Sequence, residues 1–203
     1  MLPPRGDPDR IAYYEAAGWR AYYERKYLKL LRLTAAMARE QFGIPFPLSW
    51  IAAYWIARGA AGWAPLDHNM ARVRPYFERF YRLAGWHSRL RFDPAEIATL
   101  ELDYWDVHRR LARSPAEDRQ PLVDVLTDLH ARLFGLTPEQ ARPSAEWRAA
   151  AAETVDGITG GRSTDVQADW YKLEDQLRSC YRCLAEEGRN SAPKTGGSAS
   201  SSP

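Results

Sequence analysis

The sequence predicts an all-α protein, a single-domain helical bundle of about seven helices with a small-residue helix at its centre. Three observations predict it. Strand-type alternation with β-branched residues is absent along the chain. Helix-start signals recur: Asp93-Pro94-Ala95-Glu96, Ser114-Pro115-Ala116-Glu117 and Thr137-Pro138-Glu139-Gln140 each read as an N-cap, a proline at N1 and a carboxylate or amide at N3. The composition agrees: 203 residues, 45% of them hydrophobic, suffice to bury a core and are too apolar for an unfolded chain.

The elements follow in order. A first helix is expected from Pro8 to Gln41, with a break near Gly18, the one glycine inside it. A second runs from Ser49 to Trp63 and is stopped by Pro65. Its Ala52, Ala53, Ala57, Gly59, Ala60, Ala61 and Gly62 let neighbours approach closely, which marks it as the central helix. A third spans Asn69 to Gly85, capped by Asp67 or Asn69, with Pro75 early in it or at a kink. The fourth runs from Pro94 to Arg113, and the fifth from Pro121 to Phe134, ended by Gly135. The sixth runs from Pro138 to Ile158. After a Gly160-Gly161 turn, a seventh extends from Thr164 to Glu187. Residues 1–187 are thus read as one helical domain, and the Ser/Gly/Pro-rich residues 188–203 as a disordered tail.

Net charge is only +2, but its distribution is uneven. From Arg20 to Arg91 there are 13 Lys or Arg against 4 acids; from Asp93 to Glu187 there are 11 against 19. A basic and an acidic half are expected to face each other within the fold or across a homodimer. Arg25, Lys29, Arg32 and Arg39 share one face of the first helix, read as solvated. No helix-turn-helix unit appears, so nucleic acid is not the expected partner. The polar, proline-rich Met1 to Arg10 does not read as a signal peptide, and the longest apolar run, Leu48 to Ala57, is too short for a bilayer. A cytoplasmic protein without a membrane partner is expected. Cys180 and Cys183 form a lone Cys-x-x-Cys late in a helix and are read as reduced, inert thiols.

The sharpest chemical signal lies in the fourth helix. Ile97, Glu101, Tyr104, His108 and Leu111 recur at intervals of 4, 3, 4 and 3, which makes one stripe. The stripe points a carboxylate and an imidazole toward the interior, where each needs a partner. His130 lies on the apolar face of the fifth helix, and Glu146 and Glu153 sit beside the run Ala149 to Ala152 in the sixth. Convergence of Glu101, His108, His130 and Glu146 would give a carboxylate and imidazole set suited to iron or manganese. The spacing Glu101-x6-His108 is similar to the first ligand pair of heme-oxygenase-like diiron oxidases. That likeness covers one helix: the family's late helix with two histidines around an aspartate has no counterpart, since no histidine follows His130.

Two functional readings follow. In the first, a buried polar pocket at Glu101 and His108, with Tyr104, His130 and Glu146 as further ligand-binding candidates, takes a small molecule or metal. The sequence leaves open whether that pocket is catalytic. In the second, the protein is a non-enzymatic interaction protein, a homodimer or a binder of another partner, using its basic N-terminal and acidic C-terminal halves or an aromatic patch.

Overall fold

The computed structural model describes residues 6–114 and 117–190. Among them are eight helices and no strand: α1 (Pro8–Tyr23), α2 (Tyr27–Phe42), α3 (Leu48–Trp63), α4 (Met70–Ser88), α5 (Pro94–Arg113), α6 (Gln120–Phe134), α7 (Pro138–Thr159) and α8 (Val166–Asn190). The all-α class is as the sequence predicts. No helix among the described residues is long and apolar enough to cross a membrane.

Local chemistry explains most boundaries. Asp7, Asn69 and Asp93 cap α1, α4 and α5, each accepting from the amide two residues on. Thr137 opens α7 with a full capping box: Gln140 N–H donates to Thr137 Oγ1 at 3.3 Å, and Gln140 Oε1 accepts from Thr137 N–H at 3.0 Å. Gly135 ends α6 at φ 63°, a left-handed conformation that costs glycine nothing. Ser114 proves to be the C-cap of α5 rather than the start of a helix, and α6 begins at Gln120; Pro115 and Ala116 lie outside the described residues.

Two boundaries differ from the sequence expectation. The first helix divides, but after Tyr23 and not at Gly18. Arg25 adopts φ 58°; its N–H donates to Tyr22 O at 3.0 Å, and Lys26 N–H reaches back to Ala21 O at 2.8 Å. This is a Schellman stop with arginine where glycine usually stands, so the sequence carried no glycine to announce it. Gly18 is buried inside α1, facing Leu30 of α2. At the other end, α8 continues through Asn190, so Gly188 to Asn190 are helical rather than part of a tail; the rest of that stretch lies outside the described residues.

Each helix packs on the next in chain order, and α8 returns to pack on α1, which closes a ring. The connections are short, so neighbours run antiparallel. One apolar core inside the ring takes residues from all eight helices. In a ring no single helix is the hub. The small-residue α3 packs chiefly on α2 and α4 and leaves Trp50, Ile51 and Tyr54 exposed, so it is not central. Its small residues serve one neighbour. A Cβ on Gly59 would lie 2.5 Å from the Phe77 ring of α4. Gly59→Ala is therefore expected to destabilise the protein by about 1–3 kcal/mol in urea denaturation. Gly157→Ala, at a helical position with nothing within 4 Å of the added carbon, should instead stabilise by ~0.5–1 kcal/mol.

Candidate functional site

Five helices, α1, α4, α5, α7 and α8, contribute side chains to one polar network inside the ring. On α5, Glu101, Tyr104 and His108 do face inward, as their spacing predicts. Glu101 accepts from Tyr81 OH of α4 at 2.9 Å and from Trp105 Nε1 at 2.8 Å. Burial pushes its carboxyl up, while nearby Arg148 and these two donors pull it down; burial prevails. His108 stacks parallel to Tyr104, with ring centres 6.0 Å apart, and its Nε2 lies 3.0 Å from Asp156 Oδ1 of α7.

The centre of this network is Arg148 of α7. Its guanidinium grips Glu15 of α1 with two nitrogens, Nη2 to Oε1 at 2.6 Å and Nη1 to Oε2 at 3.0 Å. Tyr181 of α8 donates to Glu15 Oε2 and lies 3.3 Å from Arg148 Nη1. The guanidinium also sits 5.4 Å from the Tyr104 ring centre. Burial alone would lower the guanidinium pKa, but Glu15 and the surrounding oxygens outweigh it and hold it well above its ordinary value. Burial likewise pushes the Tyr81, Tyr104 and Tyr181 phenols up, so all three stay protonated donors near neutrality. Two fully buried atoms of the network have no hydrogen-bond partner: Arg148 Nε and Asp156 Oδ2.

The other sequence candidates lie apart from this network. His130 is buried, but its Nδ1 pairs with Ser144 Oγ at 2.7 Å, and that hydroxyl in turn donates to Ala141 O. Glu146 is on the outside of α7, paired with Arg142 at 3.2 Å. Glu101, His108, His130 and Glu146 therefore do not converge. Among the described residues no group of three His, Cys, Asp or Glu side chains is placed to hold a metal. The face of α7 was misjudged: its buried side carries Ala145, Ala149, Ala152 and Asp156, with Arg148 among them, while Glu146 and Glu153 face out. A signal for the missed residues was present. Glu15 follows Ile11 and Ala12, and Arg148 lies between Ala145 and Ala152, each a charge on an otherwise apolar or small-residue stripe.

A second cluster forms where α3 ends beside α5. Arg109 stacks on Trp63, 3.1 Å from its ring centre, and donates to Trp63 O at 2.7 Å. Trp63 Nε1 donates to Asp106 at 2.7 Å, and His68 Nδ1 lies 3.0 Å from Pro65 O. These contacts tie the turn after α3 to α5. Cys180 is buried and Cys183 partly so; burial raises both thiols, which suppresses the reactive thiolate.

The outer surface is unevenly served. Several arginines of α5 to α8 meet acids, Arg110 with Glu117, Arg132 with Glu96, Arg142 with Glu146 and Arg178 with Glu174. On α3, α4 and the turn that follows, Arg58, Arg72, Arg79, Arg82, Arg89 and Arg91 have no ion-pair partner among the described residues, and only Arg74 pairs, with Glu78. The expected neutralisation of the basic half by the acidic half is therefore not realised in direct ion pairs on this face. Also exposed on α3 and α4 are Trp86, at 82%, Trp50, Ile51 and Tyr54, with Phe46 in the turn before α3. Arg58 and Arg79 flank the Tyr76 ring at 6.0 and 5.6 Å. Gly62 faces Val73 and Gly59 faces Phe77 where α3 packs on α4. No known protein family, curated protein or solved structure matches this chain.

Proposed function

We propose that this protein is a non-enzymatic binding module whose α3–α4 face docks a protein partner with an acidic surface around an apolar centre. The observation that carries this reading is that Trp50, Ile51, Tyr54 and Trp86 are exposed on two packed helices whose Arg58, Arg72, Arg79 and Arg82 have no ion-pair partner among the described residues. Trp, Tyr and Arg dominate the energetics of protein interfaces because they bury large area and keep polar tips. An exposed apolar patch of this kind is costly in water unless something covers it. The unneutralised arginines select a partner of opposite sign and speed its approach. In the core, by contrast, Tyr81, Trp105 and Asp156 meet the needs of Glu101 and His108.

The test uses a helical peptide with a leucine stripe flanked by glutamates, titrated against the full chain. Binding that weakens with salt is expected. Trp50→Ala/Trp86→Ala and Arg79→Glu/Arg82→Glu should each weaken it about tenfold or more. Stability should change little, since all four residues are exposed. Equal affinity for a lysine-flanked version of the peptide, tighter binding to single-stranded DNA or anionic vesicles, or no effect of either double substitution would sink the proposal.

A further inference from the structure

The geometry points to a second site, a groove between α1 and α8 built for a flat aromatic anion. The groove encloses about 320 Å³, at the lower end of the range for small-molecule sites. It lies where the last turns of α1 meet the first turns of α8, and the first residues of α2 close one end. Its floor is Ala16 and Ala17, whose short side chains leave room that larger residues would fill. Tyr13, Trp170 and Tyr171 supply aromatic walls. A flat ring in a groove lined by these aromatics has rings to stack against, which favours aromatic over aliphatic ligands.

The sign of the ligand follows from the charges at the α2 end. Arg20, Lys26 and Lys29 line it. Of the two acids in the lining, Glu24 is the one paired with them, and it is shared: Lys26 Nζ lies 2.7 Å from one oxygen and Arg20 Nε 2.8 Å from the other. Those two cations hold its carboxyl down to about 2, so it stays charged and keeps both in place. Arg20 also rests 5.8 Å from the Trp170 ring centre. The second acid of the lining, Glu174, is engaged by Arg178 at 3.0 Å. Lys29 has no ion-pair partner among the described residues. Two cations sharing one carboxylate, plus a free ammonium, leave the groove's end positive. The left-handed turn at Arg25 is what sets Lys26 and Lys29 at this end: it stops α1 and turns the chain into α2 within three residues, 24–26. A planar ligand with a carboxylate, sulfonate or phosphate at one edge satisfies both halves of the site.

Titration calorimetry of the full chain tests this with naphthalene-1-sulfonate, naphthalene-1-methylammonium and inorganic sulfate. The sulfonate should bind at one site, about fivefold or more tighter than the ammonium or bare sulfate. Lys29→Ala and Tyr171→Ala should each weaken it about fivefold, and Lys29→Arg should retain it. Both residues are exposed, so the circular dichroism and urea midpoint serve to show that the variants are folded. Equal binding of the cationic ring or of sulfate, or unchanged affinity in folded Lys29→Ala and Tyr171→Ala, overturns the assignment. Loss of sulfonate binding in Trp50→Ala/Trp86→Ala also overturns it, because the probe would then sit on the α3–α4 face.

Discussion

Glu15→Leu is expected to lower the unfolding free energy by about 3–5 kcal/mol, measured by urea denaturation. Glu15 is 4% exposed and, among the described residues, is the only counter-ion in an ion pair with Arg148. Without it, the guanidinium keeps one long contact to Tyr181 and the face of Tyr104, while its Nε already lacks a partner. A charge held in that position is stranded in a medium of low polarity. Removing the charge as well should reverse most of the loss. Glu15→Leu/Arg148→Met is expected to be markedly more stable than Glu15→Leu, because neither ion then has to be desolvated. If Glu15→Leu costs less than about 1 kcal/mol, the pair is solvated and the network does not hold the ring closed. The consequence reaches beyond one pair. Glu15, Arg148 and Tyr181 join α1, α7 and α8, the three helices on which closure of the ring depends.

Acid should destabilise the protein well before its carboxylates titrate. Burial, aided by the nearby Arg148 cation, drives the His130 imidazole down to about 3. In the unfolded chain the same imidazole titrates near its ordinary value of 6.5. The sign follows from the protons bound. Between these two values the unfolded state carries a proton that the folded state refuses. Stability is therefore full above pH 6.5 and falls as the pH drops toward 3, by about 1.4 kcal/mol per pH unit from this group at most. His130 is 3% exposed and its Nδ1 is held by Ser144, so no water reaches in to support the cation. His130→Gln keeps a hydrogen-bonding tip but cannot take up a proton. Urea midpoints from pH 7 to pH 5 should fall steeply in the wild type and should not fall in this variant, where Glu101, its carboxyl raised by burial, takes up a proton more readily folded than unfolded. Equal slopes would place the acid sensitivity elsewhere. Glu24 and Asp9 are held low in the folded protein by arginine and lysine partners, so their stabilisation is lost only below the ordinary carboxylate range.

Much of the architecture was legible from local chemistry. Asp93, Thr137 and Gly135 act through hydrogen bonds or backbone angles within a few residues, so their consequences could be read without knowing the fold. The inward stripe of α5 was legible for a similar reason: a helix repeats every 3.6 residues wherever it is placed. The stop at Arg25 was not, because nothing in an arginine signals a left-handed turn. The buried face of α7 was not either. Its alanines run nearly all round the helix, so their spacing leaves the rotation about its axis undetermined, and Glu146 and Glu153 prove to face out while Arg148 and Asp156 face in.

The sequence by itself therefore determined that this chain is helical, where most helices begin and end, and that α5 sends Glu101, Tyr104 and His108 inward. Each of those depends on a few neighbouring residues. Only the tertiary structure decided what those groups meet. His108 finds Asp156 across 48 positions of chain, and Arg148 finds Glu15 across 133. Such partners are chosen by the rotation and register of each helix against its neighbours, which are properties of the closed ring. The same is true of the outer surface. The basic segment was visible as a count of charges, but only packing showed that α3 and α4 leave both those arginines and Trp50 and Trp86 exposed, with no ion pair to α5 to α8 among the described residues.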